Sequence, residues 1–312
     1  MNAPESSRNV NGNPSTGEPA ASTGAVGFIG LGVMGRSMVS RLMTAGYTLN
    51  VHTRTRSKAS ALLDKGAAWK DSNAAVAATS PVVITMLGFP EDVEAVYFGP
   101  GGLISTCAAG TLLIDMTTTA PSLSRRIYAE AKARGLRSLD APVSGGDVGA
   151  REGTLSIMVG GDADDFQEAL PLFRAMGRRM VHQGGPGNGQ LVKLSNQIAG
   201  FGGTLGACEA MAFAVRAGLD AEKVLESISA GAAASWALTN LSPRMLAGDF
   251  APGFFVRHFL KDIRLAMDEA KTLNLHLPGL SLARDLYTQL EEDGMGDKGT
   301  QALYLLLNPP VS

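Results

Sequence analysis

Val26-Gly27-Phe28-Ile29-Gly30-Leu31-Gly32-Val33-Met34-Gly35 runs from an apolar strand-length segment into a G-x-G-x-x-G turn, then into a helical pattern that continues to Ala45 with Gly46 as its stop. Glycines in that spacing between a strand and a helix have the context of a dinucleotide-binding turn. Gly30 permits the tight turn, Gly32 lets backbone approach a pyrophosphate, and Gly35 lets helix and strand pack closely. The helix N-terminus then offers its unpaired N–H groups to the phosphates. A Gly-rich turn without a ligand is the plainer reading of the same letters. Under the ligand reading, Gly30, Leu31, Gly32, Val33, Met34 and Gly35 all line the cofactor.

Outward from that turn, apolar runs alternate with helical stretches. Strands are expected at Thr48–Val51, Val82–Met86, Thr111–Ile114, Ser156–Val159 and Met180–His182, with a short one ahead of Asp140. Pro121–Arg134 reads as a helix with proline in its first turn and Gly135 after its end. Such alternation implies right-handed βαβ units. After Gly189 the strand signal fades. Leu191–Arg216 is one long helical candidate, followed by Ala221–Ser229, Arg257–Thr272, Ser281–Glu292 and Thr300–Leu307. The expected fold is α/β: a Rossmann-type, doubly wound, mainly parallel sheet over residues 25–187, then a long helix and an all-α domain over 188–312.

Residues Met1–Gly24, rich in Asn, Pro, Ser, Thr and Gly, read as a disordered tail without the apolar core of a secretory signal. The 312-residue chain is 45% hydrophobic and 18% charged with a net charge of −2, so no global field recruits nucleic acid or an anionic membrane. Its two cysteines make no disulfide framework, which fits a cytoplasmic protein. Its four histidines are scattered, so no metal is expected. Ile198–Val215 resembles a membrane span in hydropathy but carries Glu209 and many small residues, and reads instead as a buried core helix. Those small residues would allow close packing across a dimer interface.

About twenty residues past the glycine turn, where NAD enzymes need an Asp or Glu for the ribose 2′-hydroxyl, the chain reads Val51-His52-Thr53-Arg54-Thr55-Arg56-Ser57-Lys58. Thr53 takes the slot, and the nearest following carboxylate is Asp64. Guanidinium and hydroxyl groups suit a 2′-phosphate, so Thr53, Arg54, Thr55 and Lys58 point to NADP(H) over NAD. A solvated basic loop is the alternative. Met86-Leu87-Gly88 and Asp115-Met116-Thr117-Thr118 follow two further strands, where ligands of parallel sheets lie. Cys107, between them, reads as a small core residue.

Two later segments bear on a second ligand. In Asp140-Ala141-Pro142-Val143-Ser144-Gly145-Gly146, one hydroxyl beside two glycines makes a nest of N–H groups suited to a carboxylate, or a structural turn. In Gly187-Asn188-Gly189-Gln190-Leu191-Val192-Lys193-Leu194-Ser195-Asn196-Gln197, the lysine shares a helical face with Asn196 and Gln197. A lysine early in a helix is ordinarily a solvated surface group. One facing a nicotinamide pocket could exchange a proton with a carbonyl or hydroxyl as hydride moves, and burial would bring its pKa toward neutrality.

Gly27–Gly35, Asp140–Gly161, Gly187–Gln197 and His258-Phe259-Leu260-Lys261-Asp262-Ile263-Arg264-Leu265-Ala266, in that order, resemble the β-hydroxyacid dehydrogenase family. The resemblance implies Lys193 as catalytic acid/base, and Ser144, Gly145 and Gly146 on the substrate carboxylate. It implies Asn196 as a substrate contact, with Phe254 and Asp262 shaping the substrate site; either Asn196 or Gln197 could hold the substrate hydroxyl or the lysine. Met86, Leu87, Gly88, Thr118 and Lys261 would meet the cofactor. Gln197 stands where many members carry Asn, Gly88 where many carry Pro, and Thr117 where Ser is common.

The implied activity is NADP(H)-dependent interconversion of a short 3-hydroxy acid and its semialdehyde. Reduction of 2-hydroxy-3-oxopropionate or a related short semialdehyde comes first, and oxidation of 3-hydroxyisobutyrate is the alternative. The family fold implies a homodimer or homotetramer. Imine reductases on this scaffold usually replace the lysine, so Lys193 argues against that chemistry. A non-catalytic dinucleotide-binding scaffold is the reading from another class, and Lys193 with the Ser144–Gly146 loop argues against it.

Overall fold

Residues 24–308 are described in a computed structural model. The expectations for the tail Met1–Gly24, Gly24 apart, and for the chain beyond 308 lie outside the described residues. The strands are β1 Val26–Ile29, β2 Leu49–His52, β3 Ala68–Trp69, β4 Val82–Thr85, β5 Leu112–Asp115, β6 Arg137–Asp140, β7 Val143–Ser144, β8 Leu155–Gly161 and β9 Gly177–His182. The helices of seven residues or more are α1 Val33–Thr44, α2 Pro90–Phe98, α3 Pro121–Ala133, α4 Gly146–Glu152, α5 Ala163–Met176, α6 Asn188–Arg216, α7 Ala221–Ser229, α8 Val256–Thr272 and α9 Pro278–Leu290.

The strands form one sheet in the order β3-β2-β1-β4-β5-β6-β8-β7, with β9 beside β8. From β3 to β6 every pairing is parallel, and β8 runs antiparallel to β6 and β7. Chain order reverses direction at β1, which lies between β2 and β4, and that reversal opens a crevice at the strands' carboxyl ends. The central strands are apolar runs, buried along their full length, because helices cover both faces of the sheet. One face packs Met38, Val39 and Leu42 of α1 and Phe166 and Phe173 of α5. The other packs Val93 and Tyr97 of α2 with Ile127 and Ala131 of α3.

The helical half has its own core, with Phe201 and Met211 of α6, Phe259 and Ile263 of α8, and Tyr287 of α9. The Tyr287 ring meets Phe259 edge-on at 5.0 Å, and its hydroxyl donates to the Thr300 carbonyl at 2.9 Å. The expected helix Ser281–Glu292 begins earlier, at Pro278, whose fixed φ suits a first turn. Past Leu290 the chain widens into a single π-type turn over Glu291–Met295, within which Gly294 takes φ +76°.

One expectation needs correction. Ile198–Val215 is not buried all round. Phe201, Cys208 and Met211 face the helical core, while Phe213 is 73% exposed and Val215 is also exposed. A Cβ on Gly200, Gly202 or Gly206 would meet nothing within 4 Å. Uniform apolarity hid this in the sequence, since it leaves no polar stripe to mark the outward face.

Candidate active site

The glycine turn lies at the crevice. Gly30 adopts φ +101°, and a Cβ there would come within 2.2 Å of the Met86 carbonyl oxygen. A Cβ on Gly35 would lie 1.9 Å from the Gly30 carbonyl oxygen. The fold itself therefore demands these two glycines. Gly32 differs: a Cβ there would meet nothing within 4 Å among the described residues. Gly32 is also the N-cap of α1, and no side chain caps that helix. The first-turn N–H groups are thus left for an outside acceptor, and a Cβ at Gly32 would intrude on that approach. The residues fit a pyrophosphate. Leu31 is buried in the sheet core and Met34 packs against it, so both can offer a ligand mainly backbone.

Thr53, Arg54 and Thr55 follow the last residue of β2, beside this turn. Arg54 donates to Asp92 Oδ1 at 2.9 Å, in the first turn of α2, and its side chain is otherwise 85% exposed. Arg56 lies over the Trp69 ring, and Lys58 is exposed. The sequence places no carboxylate next to the ribose-reading loop. The fold brings one from 38 residues away.

The loops after β4 and β5 are tied together. Asp115 Oδ1 accepts from Thr85 Oγ1 at 2.8 Å and from the Thr117 N–H at 3.1 Å, and Thr117 Oγ1 accepts from the Leu87 N–H at 2.9 Å. Burial pushes the Asp115 carboxyl up to about 6, with the Asp140 charge adding to the rise and the hydrogen bonds from Thr117 and Thr85 opposing it. Leu87, Gly88 and Thr118 are thereby fixed on one rim of the crevice. Gly88 lies between Asp92 and His258, whose ring packs on Phe89 at 4.9 Å between centroids.

The start of α6 is pinned to the same strand ends. Asp140 Oδ1 accepts from the Gly187 N–H at 2.7 Å and Oδ2 from the Gln190 N–H at 2.9 Å. Burial raises the Asp140 carboxyl above its ordinary range, opposed by these N–H donors. Gln190 donates to the Thr117 carbonyl at 2.8 Å and accepts from the Thr119 N–H at 3.0 Å. Gly189 fits where a Cβ would lie 2.5 Å from the Met158 carbonyl oxygen. Neither Asp140 nor Gln190 was singled out in the sequence for a role. The available signals were the acid opening the Asp140–Gly146 segment and a glutamine three residues before the lysine.

Lys193, one turn further along α6, is only 7% exposed. Burial lowers its pKa to about 8; Asp262 opposes the fall and Lys261 adds to it. Its amine donates to Gln197 Oε1 at 2.9 Å, which also accepts from Asn196 Nδ2 at 2.9 Å. Gln197 Nε2 in turn donates to Asp262 Oδ2 of α8. Lys261 pairs with Asp262 Oδ1 at 2.9 Å and donates to the Thr118 carbonyl at 2.6 Å, bridging the helical half to the sheet loops. Lys193, Asn196, Gln197, Lys261, Asp262 and Thr118 thus form one connected cluster.

Ser144 ends β7, and Gly145 and Gly146 follow at φ +129° and +63° as the chain turns into α4. The long helix packs against β7 and β8, beside this turn. Phe254 packs its ring on Phe259, with 5.7 Å between centroids.

The family model for the NAD-binding domain of 6-phosphogluconate dehydrogenase matches residues 25–185, and that for the NAD-binding of NADP-dependent 3-hydroxyisobutyrate dehydrogenase matches residues 187–307. The chain belongs to the β-hydroxyacid dehydrogenase family. Relatives of this family include an uncharacterized oxidoreductase, YkwC, of Bacillus subtilis (51% identical, covering 90% of this chain and 98% of the relative). Others are an NAD-dependent L-serine dehydrogenase of Pseudomonas aeruginosa (38%; 91% and 98%) and a 2-hydroxy-3-oxopropionate reductase of Escherichia coli (37%; 91% and 98%). The solved Mycobacterium tuberculosis 3-hydroxyisobutyrate dehydrogenase with L-serine superposes with a TM-score of 0.82 at 31% identity, covering 91% of this chain and 99% of that one. The protein is an NAD(P)-dependent β-hydroxyacid dehydrogenase.

Proposed function

We propose that this dehydrogenase works as an NADP(H)-dependent reductase of a short semialdehyde acid, with 2-hydroxy-3-oxopropionate as the first candidate and Lys193 as general acid. The buried, pKa-lowered amine at the seam between sheet loops and helical half carries this reading. NADPH, when bound, supplies the hydride. Lys193 gives its proton to the carbonyl oxygen, and in reverse takes it from the hydroxyl. Gln197 aims the amine, while Asp262 holds Gln197 and favours the charged form. The Ser144 hydroxyl and the N–H groups of Gly145 and Gly146 receive the substrate carboxylate. Arg54, with the hydroxyls of Thr53 and Thr55 and the charge of Lys58, receives the 2′-phosphate. The E. coli reductase relative supports the substrate class.

A second reading is NAD-dependent oxidation of a 3-hydroxy acid such as L-serine. The Asp92 carboxylate beside the ribose-reading loop favours it, as does the NAD-dependent relative. Titrating the purified protein with NADPH and NADH, then assaying both directions with 2-hydroxy-3-oxopropionate, succinic semialdehyde, L-serine and 3-hydroxyisobutyrate, separates the two. Lys193→Ala is expected to bind coenzyme normally and lose turnover; a near-normal rate would remove the lysine from the chemistry. A homo-oligomer formed over the outward face of α6 is part of the proposal, supported by the exposed Phe213 and Val215.

A further inference from the structure

Gln190 is completely buried, and its side-chain hydrogen bonds go neither to Lys193 nor to any position proposed to hold substrate. Its side chain leaves α6 and closes a two-bond ring on the backbone of the loop after β5. Its amide nitrogen donates to the Thr117 carbonyl, and its amide oxygen accepts from the Thr119 N–H. Thr118, between those two contacts, is the residue whose carbonyl receives Lys261. The backbone N–H of Gln190 is held by Asp140, the last residue of the adjacent strand β6. The one residue therefore joins the first turn of the lysine's helix to the ends of β5 and β6.

We propose that Gln190 is a positioning residue that registers Lys193 against the cofactor-lining loop Thr117–Thr119. The proposal rests on the reading of Lys193 as general acid. Lys193 follows Gln190 by three residues, so a shift of the first turn of α6 moves the amine with little loss on the way. Proton and hydride must reach the same carbonyl from two different elements: the lysine from α6, the nicotinamide from the loops above β4 and β5. A polar pair satisfied on both sides and closed to water sets that separation more sharply than apolar packing, because sliding the helix would leave two buried backbone groups unpaired. Displacements of about 1 Å in such geometry cost on the order of 100-fold in rate.

Two substitutions test this. Gln190→Met keeps the shape and removes both hydrogen bonds. It is expected to lower kcat by about 10- to 100-fold, with KM for the semialdehyde and Kd for NADPH each within about threefold of the parent. Gln190→Glu adds a readout that a merely structural role would not move. When protonated, its carboxyl reproduces both bonds, the O–H donating to the Thr117 carbonyl and the C=O accepting from the Thr119 N–H. When ionised, it faces that carbonyl without a donor. The ratio of its kcat to the parent's is therefore expected to rise at least fivefold from pH 8 to pH 5.5, while the Gln190→Met ratio stays flat. Should Gln190→Met fail to fold, the pH response of Gln190→Glu decides alone. A kcat for Gln190→Met within twofold of the parent, or a flat ratio for Gln190→Glu, would overturn the proposal. An active Lys193→Ala protein would instead overturn the reading beneath it.

Discussion

At the residue scale the decisive group is the Lys193 amine. Its folded pKa of about 8 lies below the ordinary 10.5, so between those values the folded chain binds fewer protons than the unfolded chain. Stability then rises with pH across that window, and the cost of burying the amine is present in full below about 8. Lys193→Met is expected to stabilise the protein at pH 7 by an amount on the order of 3 kcal/mol, with the gain fading as pH climbs toward the unfolded value. Thermal unfolding at several pH values checks it; a gain that grows with pH would reverse the sign of the argument. For catalysis, the reductive kcat should fall as pH rises through about 8 and the oxidative kcat should rise, because the two directions use opposite forms of the amine.

Arg54 supplies a second residue-scale expectation. Its pairing with Asp92 is mostly solvent-exposed and worth little to stability. Arg54→Ala should therefore leave the melting temperature nearly unchanged while weakening NADPH binding about tenfold or more and NADH binding little. Equal losses for both coenzymes would show that the guanidinium does not read the 2′-phosphate.

Among elements, the first turn of α6 is the most constrained. Gly189 passes the carbonyls of Met158 and Asp140, at 2.5 and 2.7 Å from where a Cβ would lie. Backbone cannot yield as a flexible side chain can, so Gly189→Ala is expected to cost roughly 1–3 kcal/mol and to displace the lysine. Chemical denaturation with a kcat measurement checks both; an unchanged midpoint would mean the helix start is looser than its contacts imply. Gly32→Ala is the contrast: stability held, NADPH affinity reduced, because the clash is with the phosphate approach and not with protein. Much at this scale was legible in the sequence. The helices expected at Pro121 and Ala221 begin there, the second capped by the Asp220 side chain, and the apolar β4 and β5 runs are buried strands. The helix Ala163–Met176 was not foreseen. It carries Pro171 inside it, and its apolar positions are spread between two charged stretches.

For the whole molecule, two cores meet along a seam where α6 and α8 present Lys193, Gln197, Lys261 and Asp262 to the sheet loops. The outward side of α6 shows Phe213 and Val215 beside open glycines. If the proposed homo-oligomer forms over this face, Phe213→Glu is expected to shift the protein toward smaller assemblies in analytical ultracentrifugation, with secondary structure retained; an unchanged sedimentation profile would count against self-association through this face.

Local pattern was enough to give the α/β-then-α order of the chain, the glycine turn and its function class, because strand and helix periods and glycine spacing are local properties of the chain. It also marked Lys193, through a motif contiguous in the chain. It took the packing of distant segments to bury the lysine, to fix its helix through Asp140 and Gln190, and to set Asp92 against Arg54. The Asp140, Gln190 and Asp92 pairings join residues tens of positions apart, and burial depends on what packs over a group, which no local pattern encodes.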